Sequence, residues 1–489
     1  MSVLIVVNTR NNWPFNIPGV EVVGARSYLT DPKYSGLRGT KVFNLCRSYA
    51  YQTLGYYVSL LATARGHKVM PGITTIQDLK SQTIIRFAAD DLDELIQRDL
   101  SHLQSNQFAL SIYFGRNLAK RYDRLALRLF NQFQAPLLRA QFVRQDDWVL
   151  QNVSPISANE VPQTHRPYIV EFAQEYFAKR SHRSSRRAGA RYDMAILVNG
   201  EEPEPPSDAK ALAKFLKAAG SLGIRAELIG KDDYGRVGEY DALFLRETTA
   251  VNHHTYRFAQ RGAAEGLVVI DDPESIVRCT NKVYLAEVLG RQNVPIPKTL
   301  VAHRDNLSEI PGALGFPCIL KRPDSSSSQG VVKVADETAL ATAAEQFLDA
   351  SDLFVAQEFL PTTFDWRVGV FDGQPLYVCK YHMAAEHWQI INWQRDDKSR
   401  HGRVETMPIE AAPRAVVRTA LRSARLIGDG LYGVDLKQVG KKIYVIEVND
   451  NPSIDAGCED AYLKDELYWR IMVGFLHRLD RAKRGPYPA

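Results

Sequence analysis

The stretch LYGVDLKQVGKKIYVIEVNDNPS, residues 431–453, carries the strongest structural signal in the chain. Two apolar runs flank a Gly-Lys-Lys turn, which predicts an antiparallel hairpin. On an extended strand, residues two apart project from the same face, so Glu447 and Asn449 point together while Ile446 and Val448 face the core. The second strand therefore presents two oxygen ligands on one face.

Asp435 extends this pair to three oxygen donors if the hairpin loop has an odd number of residues, for example 440–442. Asp435 then lies opposite Glu447, and both side chains share a face. Carboxylate and carboxamide oxygens with no Cys or His nearby favour Mg²⁺ or Mn²⁺ over zinc. The alternative is the polar outer face of an ordinary hairpin, but Asp435 lies in apolar sequence, where an unpaired carboxylate is costly. We predict that Asp435, Glu447 and Asn449 bind metal ions.

A second motif, CILKRPDSSSSQGVVKV at residues 318–334, combines a strand lysine with a loop of small residues. Lys321 lies near the end of an apolar strand, and Ser325–Ser328 are followed by Gln329 and Gly330. Such a loop can close over a polyphosphate with backbone NH groups and hydroxyls, while the lysine binds a phosphate as a point charge. The alternative is an ordinary serine-rich surface loop.

The third motif, FVAQEFL at residues 354–360, is a strand that ends in Gln357 and Glu358. This strand end is suited to an interdomain hinge whose backbone binds the edge of adenine, with Glu358 available to the nucleoside. The alternative is a strand end with exposed polar side chains.

A chain of 489 residues, 45% hydrophobic and 24% charged, has the composition of a folded globular protein with about three domains. Strands alternate with helices between residues 194 and 270, which predicts a small parallel sheet with crossover helices. From residue 282 onward, short strands separated by Gly, Pro and Ser predict α+β units, with hairpins at Asp372-Gly373 and at Gly440. The stretch Leu45–Arg65 spaces its apolar residues at three and four, which predicts a buried helix.

The net charge of +5 is unevenly distributed, because one short stretch is crowded with basic residues. They are Lys179, Arg180, Arg183, Arg186, Arg187 and Arg191. We interpret this stretch as a basic linker; the alternative is an electrostatic contact with RNA or an acidic partner. The five cysteines are odd in number and scattered, which favours a reducing cytoplasm. The sequence has neither a signal-peptide pattern nor a membrane-length apolar run, so we expect no membrane targeting.

Taken together, the order of these motifs resembles a known family. Asn281-Lys282, the strand lysine, the small-residue loop, QEFL, Asp365-Trp366-Arg367, and VDL followed by IEVNDNPS look like the RimK and glutathione-synthetase branch of ATP-grasp ligases. The similarity spans about residues 192–480. The stretch VFNLCRSYAYQTLGYYVSLLATARGHKV resembles the RimK-like ATP-grasp N-terminal domain.

This resemblance implies a multidomain α/β and α+β fold: an N-terminal α/β domain (1–178), the basic linker (179–191), a pre-ATP-grasp α/β domain (192–281) and a two-subdomain ATP-grasp domain (282–489). It also implies ATP and two Mg²⁺ ions as cofactors, with Mn²⁺ as a substitute. The metal ligands are those predicted above. The implied ATP-binding residues are Lys282, Lys321, Ser327, Ser328, Gln329, Gly330, Gln357, Glu358, Phe359 and Leu360.

Three residues are candidates for the chemistry itself. Arg367 belongs to the motif of the resemblance, and Lys380 occupies about the place where RimK-like enzymes carry arginines. Arg246, followed by Glu247, ends a strand of the predicted parallel sheet and is suited to grip a substrate carboxylate. A loop between Lys380 and Asp435 departs from the relatives' basic loop. Its candidate substrate contacts are Trp388, Gln389, Asn392 and Arg403.

The expected activity is ATP-dependent joining of a carboxylate to an amine through an acylphosphate, with an amino acid such as glutamate added to a peptide or protein. Two alternatives remain: a small-molecule ligase of the glutathione-synthetase kind, and a nucleotide-binding regulatory module that docks on RNA or the ribosome. Relatives are often dimers or tetramers, so the resemblance is compatible with a homo-oligomer, although the sequence reveals no interface.

Two further features have competing interpretations. Cys46 belongs to a polar cluster ahead of the predicted helix, together with Asn44, Arg47, Ser48 and Tyr51. A thiol near a helix N-terminus can become nucleophilic, but a helix cap or a substrate groove explains the cluster equally well. His253 and His254 are tempting metal ligands. Adjacent residues on a helix diverge by about 100°, however, and this favours packing or substrate contact over a shared ion.

Overall fold

The computed structural model describes residues 3–484 except 14, 16, 38–39, 185–189, 325–329 and 396–399. The chain divides into two compact units, the first containing residues 1–189 and 232–239 and the second residues 190–231 and 240–489. No described helix combines the length and the apolar character needed to cross a membrane.

The first unit combines a parallel sheet with an antiparallel sheet. Its strands are β1 (Val3–Val7), β2 (Glu21–Gly24), β3 (Lys41–Asn44), β4 (Lys68–Met70), β5 (Gln107–Tyr113), β6 (Leu137–Arg144) and β7 (Trp148–Pro155). Its α-helices are α1 (Ala25–Thr30), α2 (Pro32–Ser35), α3 (Leu54–Ala64), α4 (Ile73–Asp78), α5 (Gln82–Leu100), α6 (Asp123–Gln132) and α7 (Arg166–Ser184). The parallel sheet has the order β2-β1-β3-β4, and the antiparallel sheet has the order β5-β6-β7.

The second unit contains three sheets. Its strands are β8 (Tyr192–Leu197), β9 (Ile224–Ile229), β10 (Ala242–Leu245), β11 (Val268–Ile270), β12 (Thr299–Ala302), β13 (Cys318–Lys321), β14 (Val331–Val334), β15 (Phe354–Glu358), β16 (Phe364–Phe371), β17 (Gln374–His382), β18 (Val404–Met407), β19 (Leu431–Val439) and β20 (Lys442–Asp450). Its α-helices are α8 (Ala209–Ser221), α9 (His254–Ala264), α10 (Pro273–Thr280), α11 (Lys282–Arg291), α12 (Glu309–Leu314), α13 (Glu337–Leu348), α14 (Arg414–Ile427) and α15 (Asp465–Arg484).

A parallel sheet opens this unit, in the order β11-β10-β8-β9, so the predicted alternation of strands and helices is confirmed. Strand β10 is a continuous apolar run because helices cover both of its faces. Phe244 packs against Phe215 of α8 and Phe475 of α15, each with ring centroids 5.2 Å apart. On the other face, Gly262 of α9 lies so close to Val269 of β11 and Leu243 of β10 that a larger residue would be crowded.

Two antiparallel sheets follow, in the orders β12-β15-β13-β14 and β18-β17-β16-β19-β20. The hairpins predicted at Asp372-Gly373 and at Gly440 are both present. The condition of an odd-numbered loop in the second hairpin is not met, because Val439 pairs with Lys442 and the loop holds two residues. Gly440, with φ of 60°, supplies the left-handed backbone that such a short turn needs.

A β-bulge restores the expected neighbours in this hairpin. Leu436 pairs with Val445 but Asp435 pairs with Glu447, so one residue, Ile446, is extra on β20. Asp435 therefore faces Glu447 as predicted. The cause is the bulge combined with a two-residue loop, not an odd-numbered loop. The expectation that Ile446 faces the core is wrong, since this bulge residue is only half-buried.

The helix predicted over Leu45–Arg65 is correct only in its second half, where α3 lies. Side-chain hydrogen bonds hold the first half in turns: Thr53 Oγ1 donates to Ser48 O at 3.0 Å, and Ser48 Oγ accepts from Ala50 N at 3.1 Å. Short polar side chains that bond to the nearby backbone compete with helix formation. The apolar spacing therefore extended the predicted helix too far toward the N-terminus.

Candidate active site

A row of charged side chains lies on one face of the second antiparallel sheet. Arg367 of β16 pairs with Asp435 of β19, and Asp435 pairs with Glu447 of β20. Directly opposed residues project to the same face of a sheet, so the three side chains are neighbours. The opposite face carries Val368 and Val434, which are fully buried in the core that includes α14. The sheet thus separates its hydrophobic support from a charged face.

Asp435 is held by two partners on this face. Arg367 donates from Nε to Oδ1 at 2.6 Å and from Nη2 to Oδ2 at 2.7 Å, and Asn449 Nδ2 donates to Oδ2 at 3.1 Å. Burial raises the pKa of Asp435, and Arg367 opposes that shift. Two of the predicted metal ligands, Asp435 and Asn449, are therefore in direct contact.

The third predicted metal ligand, Glu447, forms an ion pair with Lys282, whose Nζ lies 3.0 Å from Oε1. Lys321 interacts electrostatically with the same carboxylate, and burial lowers the pKa of Lys321 to about 8. Burial alone would raise the pKa of Glu447, but Lys282 and Lys321 together hold it below its ordinary value. Both predicted phosphate-binding lysines and one predicted metal ligand thus belong to one buried cluster.

Local structure explains why the two lysines converge. Asn281 Oδ1 caps α11 by accepting from the backbone N of Val283 and of Tyr284, which starts the helix at Lys282. Lys282 N in turn donates to Pro323 O at 2.7 Å, just beyond the end of β13. Since Lys321 is the last residue of β13, this contact fixes the start of α11 beside it.

Sequence reasoning missed one part of the charged face. Lys437 Nζ lies 2.6 Å from Asp365 Oδ1 and 2.7 Å from Thr362 Oγ1. Lys437 follows Asp435 by two residues on β19, so the alternation of side chains along a strand was a signal that could have found it. The pKa of Lys321 responds to both Lys437 and Asp365, which places this pair in the same electrostatic environment.

The predicted adenine-binding segment ends β15. The Gln357 side chain is buried and donates to Thr299 Oγ1 at 2.9 Å, while Glu358 Oε1 accepts from the backbone N of Lys298 at 2.8 Å. Phe359 packs edge-on against Trp388, with centroids 6.0 Å apart, and Leu360 is half-buried beside it in sequence. The side chain of Glu358 is thus committed to its own sheet, and β15 ends at this residue.

Three predicted phosphate-loop residues, Ser327, Ser328 and Gln329, lie outside the described residues. Gly330 is described, has φ of 69°, and accepts from Arg322 N at 2.9 Å through its carbonyl. This hydrogen bond closes the hairpin between β13 and β14 directly after Lys321.

Lys380 is not brought to the charged row. It pairs with Trp366 on β16 and with Glu405 on β18, one residue out of step with Arg367, so it projects from the other face of the sheet. Its Nζ lies 5.1 Å from the ring centroid of Phe364 and 5.3 Å from that of Trp366. The geometry therefore gives no support to the role that the resemblance implied for Lys380.

Arg246 is only 1% exposed, and protein groups occupy its guanidinium. Nε donates to Ser207 Oγ at 3.1 Å, Nη1 to Asn451 Oδ1 at 2.7 Å, and Nη2 to the carbonyls of Pro206 and Pro452. These contacts tie the end of β10 to the segment after β20. The prediction that Arg246 grips a substrate carboxylate does not fit this arrangement, because its donors are engaged within the protein.

The four predicted substrate contacts do not form one group. Asn392 is buried and its backbone N donates to Arg400 O at 2.8 Å, whereas Arg403 Nη2 lies 3.4 Å from Glu405 Oε2 at the surface. Gln389 O accepts from Ala384 N at 2.9 Å. Trp388 contacts the hinge, as described above.

Cys46 does not fit the nucleophile interpretation. It is buried, and burial raises the pKa of its thiol to about 12.

Comparison with known proteins agrees with this geometry. Residues 25–172 match the family described as RimK-like ATPgrasp N-terminal domain, and residues 279–454 match the family described as ATP-grasp domain. A protein named "Probable alpha-L-glutamate ligase" from Vibrio vulnificus (strain YJ016) is 25% identical over 229 residues, which cover 46% of this chain and 73% of that protein. Its namesake from Cellvibrio japonicus (strain Ueda107) is 25% identical over 228 residues, with the same coverage.

Among solved structures, D-alanine--D-alanine ligase from Bacillus anthracis is similar with a TM-score of 0.46 and 14% identity, covering 60% of this chain and 98% of that one. The family matches identify residues 279–454 as an ATP-grasp domain, and the similarity to proteins named alpha-L-glutamate ligases agrees with the carboxylate-amine ligase class. The chain combines a RimK-like ATPgrasp N-terminal domain with an ATP-grasp domain.

Proposed function

We propose that the protein forms an amide bond between a carboxylate and an amine through an acylphosphate, and that it adds glutamate to a peptide or protein. The observation that carries the first part is the cluster in which Asp435, Asn449 and Glu447 meet Lys282 and Lys321. The similarity to proteins named alpha-L-glutamate ligases supports the choice of glutamate.

The donor set fits the Mg²⁺ that ATP-grasp enzymes use. Asp435, Glu447 and Asn449 offer only oxygen ligands on one sheet face, and this is the chemistry that hard divalent cations prefer. We propose that these three residues hold two Mg²⁺ ions. When bound, the ions supply positive charge that neutralises the phosphates.

The lysines act on the phosphates of ATP. Lys321 is buried at the end of β13, and Lys282 lies beside it at the start of α11. We expect both ammonium groups to bind phosphate oxygens, where a point charge in a poorly solvated site is strongly favourable. The segment Gln357–Leu360 binds adenine through its backbone in this proposal.

Arg367 orients the reacting groups. Its fork is held against Asp435, so the guanidinium stays on the charged face with a fixed direction. In the proposed reaction an oxygen of the substrate carboxylate attacks the γ-phosphorus of ATP, and the bond to ADP breaks. The amine then attacks the acylphosphate carbonyl, the C–N bond forms, phosphate leaves, and the amine loses a proton. Positioning and exclusion of water supply most of the rate enhancement.

The five cysteines form no disulfide, which fits a reducing compartment, and we propose that the enzyme works in the cytoplasm.

A substrate screen tests the proposal. ADP release is measured with Mg-ATP over pairs of carboxylates and amines, including glutamate with peptide acceptors, and products are identified by mass spectrometry. We expect ADP release to require both substrates and the acceptor to gain glutamyl residues. A product made from two small molecules would overturn the peptide or protein acceptor, and ADP release that ignores every carboxylate would overturn the ligase mechanism.

A further inference from the structure

A second group of potential metal ligands lies outside the charged row. Glu247 directly follows Arg246 beyond β10, and His253 and His254 begin α9. One potential ligand atom of each residue lies within 4.8 Å of those of the other two, and no other group of three or more such residues is found in the described part of the chain. We propose that Glu247, His253 and His254 bind one divalent transition-metal ion of the Zn²⁺ type.

The backbone removes the objection that adjacent histidines diverge. His253 is the N-cap of α9, with φ of −117° and ψ of 161°, so only His254 has entered the helix. The extended conformation turns the two imidazoles toward each other, and their ring centroids are 3.9 Å apart. The divergence of about 100° that a continuous helix imposes therefore does not apply here.

The contact between Glu247 and His254 brings two potential ligand atoms close together. His254 Nε2 lies 2.9 Å from Glu247 Oε1, yet Nε2 lacks a hydrogen-bond partner among the described residues because the two groups are not aligned for one. Two ligands of a tetrahedral zinc ion, each about 2.0 Å from the metal, are about 3.3 Å apart. The observed separation is about 0.4 Å shorter than this value, so binding of an ion requires only a small movement of one side chain.

Burial strengthens this assignment. The Glu247 side chain is 2% exposed, and its Oε2 has no hydrogen-bond partner within the described ranges. An unpartnered carboxylate oxygen at this depth is costly unless a cation compensates it. A second carboxylate, Glu202, accepts from Thr248 N at 3.3 Å, and it also interacts electrostatically with Glu247 and His254. A second carboxylate therefore lies in the electrostatic environment of Glu247 and His254.

The two histidines are suited to metal binding in other respects. His253 Nδ1 lies 3.0 Å from Thr255 Oγ1, which orients the ring and leaves Nε2 for an ion. Both histidines are half-buried, so an ion can enter from solvent and keep an open coordination position.

Two imidazoles and one carboxylate select metals differently from the charged row. Imidazole nitrogen suits Zn²⁺ and its transition-metal neighbours, whereas the all-oxygen set of Asp435, Glu447 and Asn449 suits Mg²⁺. The site is also physically close to β20, because Glu247 O accepts from Asn451 Nδ2 at 2.6 Å. This inference does not rest on the proposed ligase function.

The test uses the full chain after treatment with a chelator. Zn²⁺ affinity is measured by competition with a chromophoric chelator, in the presence of excess Mg²⁺, and the ligand field is read from the visible absorption of added Co²⁺. We expect one equivalent of Zn²⁺ and an absorption typical of low coordination number. His254→Ala and His253→Ala should each weaken Zn²⁺ binding by about 100-fold, and Thr255→Val by about tenfold.

His303→Ala is the matched control, because His303 also lies near a carboxylate, 3.8 Å from Asp305, but outside the cluster. It should bind Zn²⁺ like the wild type. Because Glu247 is buried, Zn²⁺ binding by Glu247→Gln is interpreted only if its circular dichroism spectrum and melting temperature match the wild type. If they do not match, the Zn²⁺ affinity of the half-buried His253→Ala variant decides the test. Absence of stoichiometric binding, or equal affinity in wild type and both histidine variants, overturns the site.

Discussion

Arg367 and Asp435 form a two-point ion pair, with Nε 2.6 Å from Oδ1 and Nη2 2.7 Å from Oδ2. Their side chains are 12% and 18% exposed, so each charge depends on the other for compensation. Asp435 is also a predicted metal ligand, and its other contact is Asn449. The Asp435 carboxylate therefore links the Arg367 guanidinium to the predicted metal ligands. Loss of the ion pair is expected to impair metal binding as well.

Removal of the guanidinium tests this link. Arg367→Ala should lower the free energy of unfolding by about 3–5 kcal/mol, because it leaves a buried carboxylate without its partner. Arg367→Lys keeps the charge but loses the fork, so we expect milder destabilisation and ADP release reduced by about tenfold or more. Urea denaturation and steady-state kinetics measure both effects. A lysine variant with wild-type activity would contradict the orienting role.

The pKa of Lys321 predicts a pH dependence. Burial lowers the pKa of Lys321 to about 8, so the ammonium is mostly charged at pH 7 and mostly neutral at pH 9. We expect kcat/KM for ATP to fall by about tenfold across this interval. Lys321→Arg, whose guanidinium stays charged, should show a flat profile over the same range. An equal decline in both proteins would assign the titration to another group.

Lys380 and Arg367 are only one register position apart, yet the structure predicts opposite effects. Lys380 packs over Phe364 and Trp366 on the other face, so Lys380→Met should cost about 1 kcal/mol of stability and leave ADP release within about threefold of wild type. Arg367→Met should be far less active. A loss of more than about tenfold in Lys380→Met at unchanged Arg367–Asp435 geometry would restore a chemical role for this lysine.

Arg246 is predicted to act on stability. Its donors are engaged with Ser207, Asn451 and two proline carbonyls, so Arg246→Leu leaves several buried acceptors unsatisfied. We expect a loss of about 3–5 kcal/mol in the free energy of unfolding. Ser207→Ala removes one acceptor and should cost about 1 kcal/mol. If Arg246→Leu instead unfolds like the wild type and only raises KM for the carboxylate substrate, the substrate role stands.

Much of the fold follows from apolar periodicity, because strands such as β8 and β10 are short hydrophobic runs and helices such as α11 carry clear start signals. The juxtaposition of Asp435 with Glu447 was also predictable from side-chain alternation. The bulge at Ile446 was not, because one extra apolar residue between Val445 and Glu447 leaves no distinctive pattern in the sequence.

Other errors have local physical causes. The false helix start at Leu45 arose because apolar spacing is insensitive to the hydrogen bonds of Ser48 and Thr53. The divergence assigned to His253 and His254 assumed that both were helical, whereas the helix begins between them. A boundary error of one residue therefore decided whether two ligands could meet.

The most direct measurement compares Mg²⁺-dependent ADP release in the wild type, Glu447→Gln and Glu405→Gln. Glu447 faces Lys282 in the charged row, and Glu405 lies on the same sheet opposite Lys380. The account predicts that Glu447→Gln loses about 100-fold or more of the carboxylate-dependent rate, since a metal ligand contributes several kcal/mol, while Glu405→Gln keeps the wild-type rate. Equal rates in all three proteins, with folding intact, would contradict the central claim that this oxygen cluster carries the reaction.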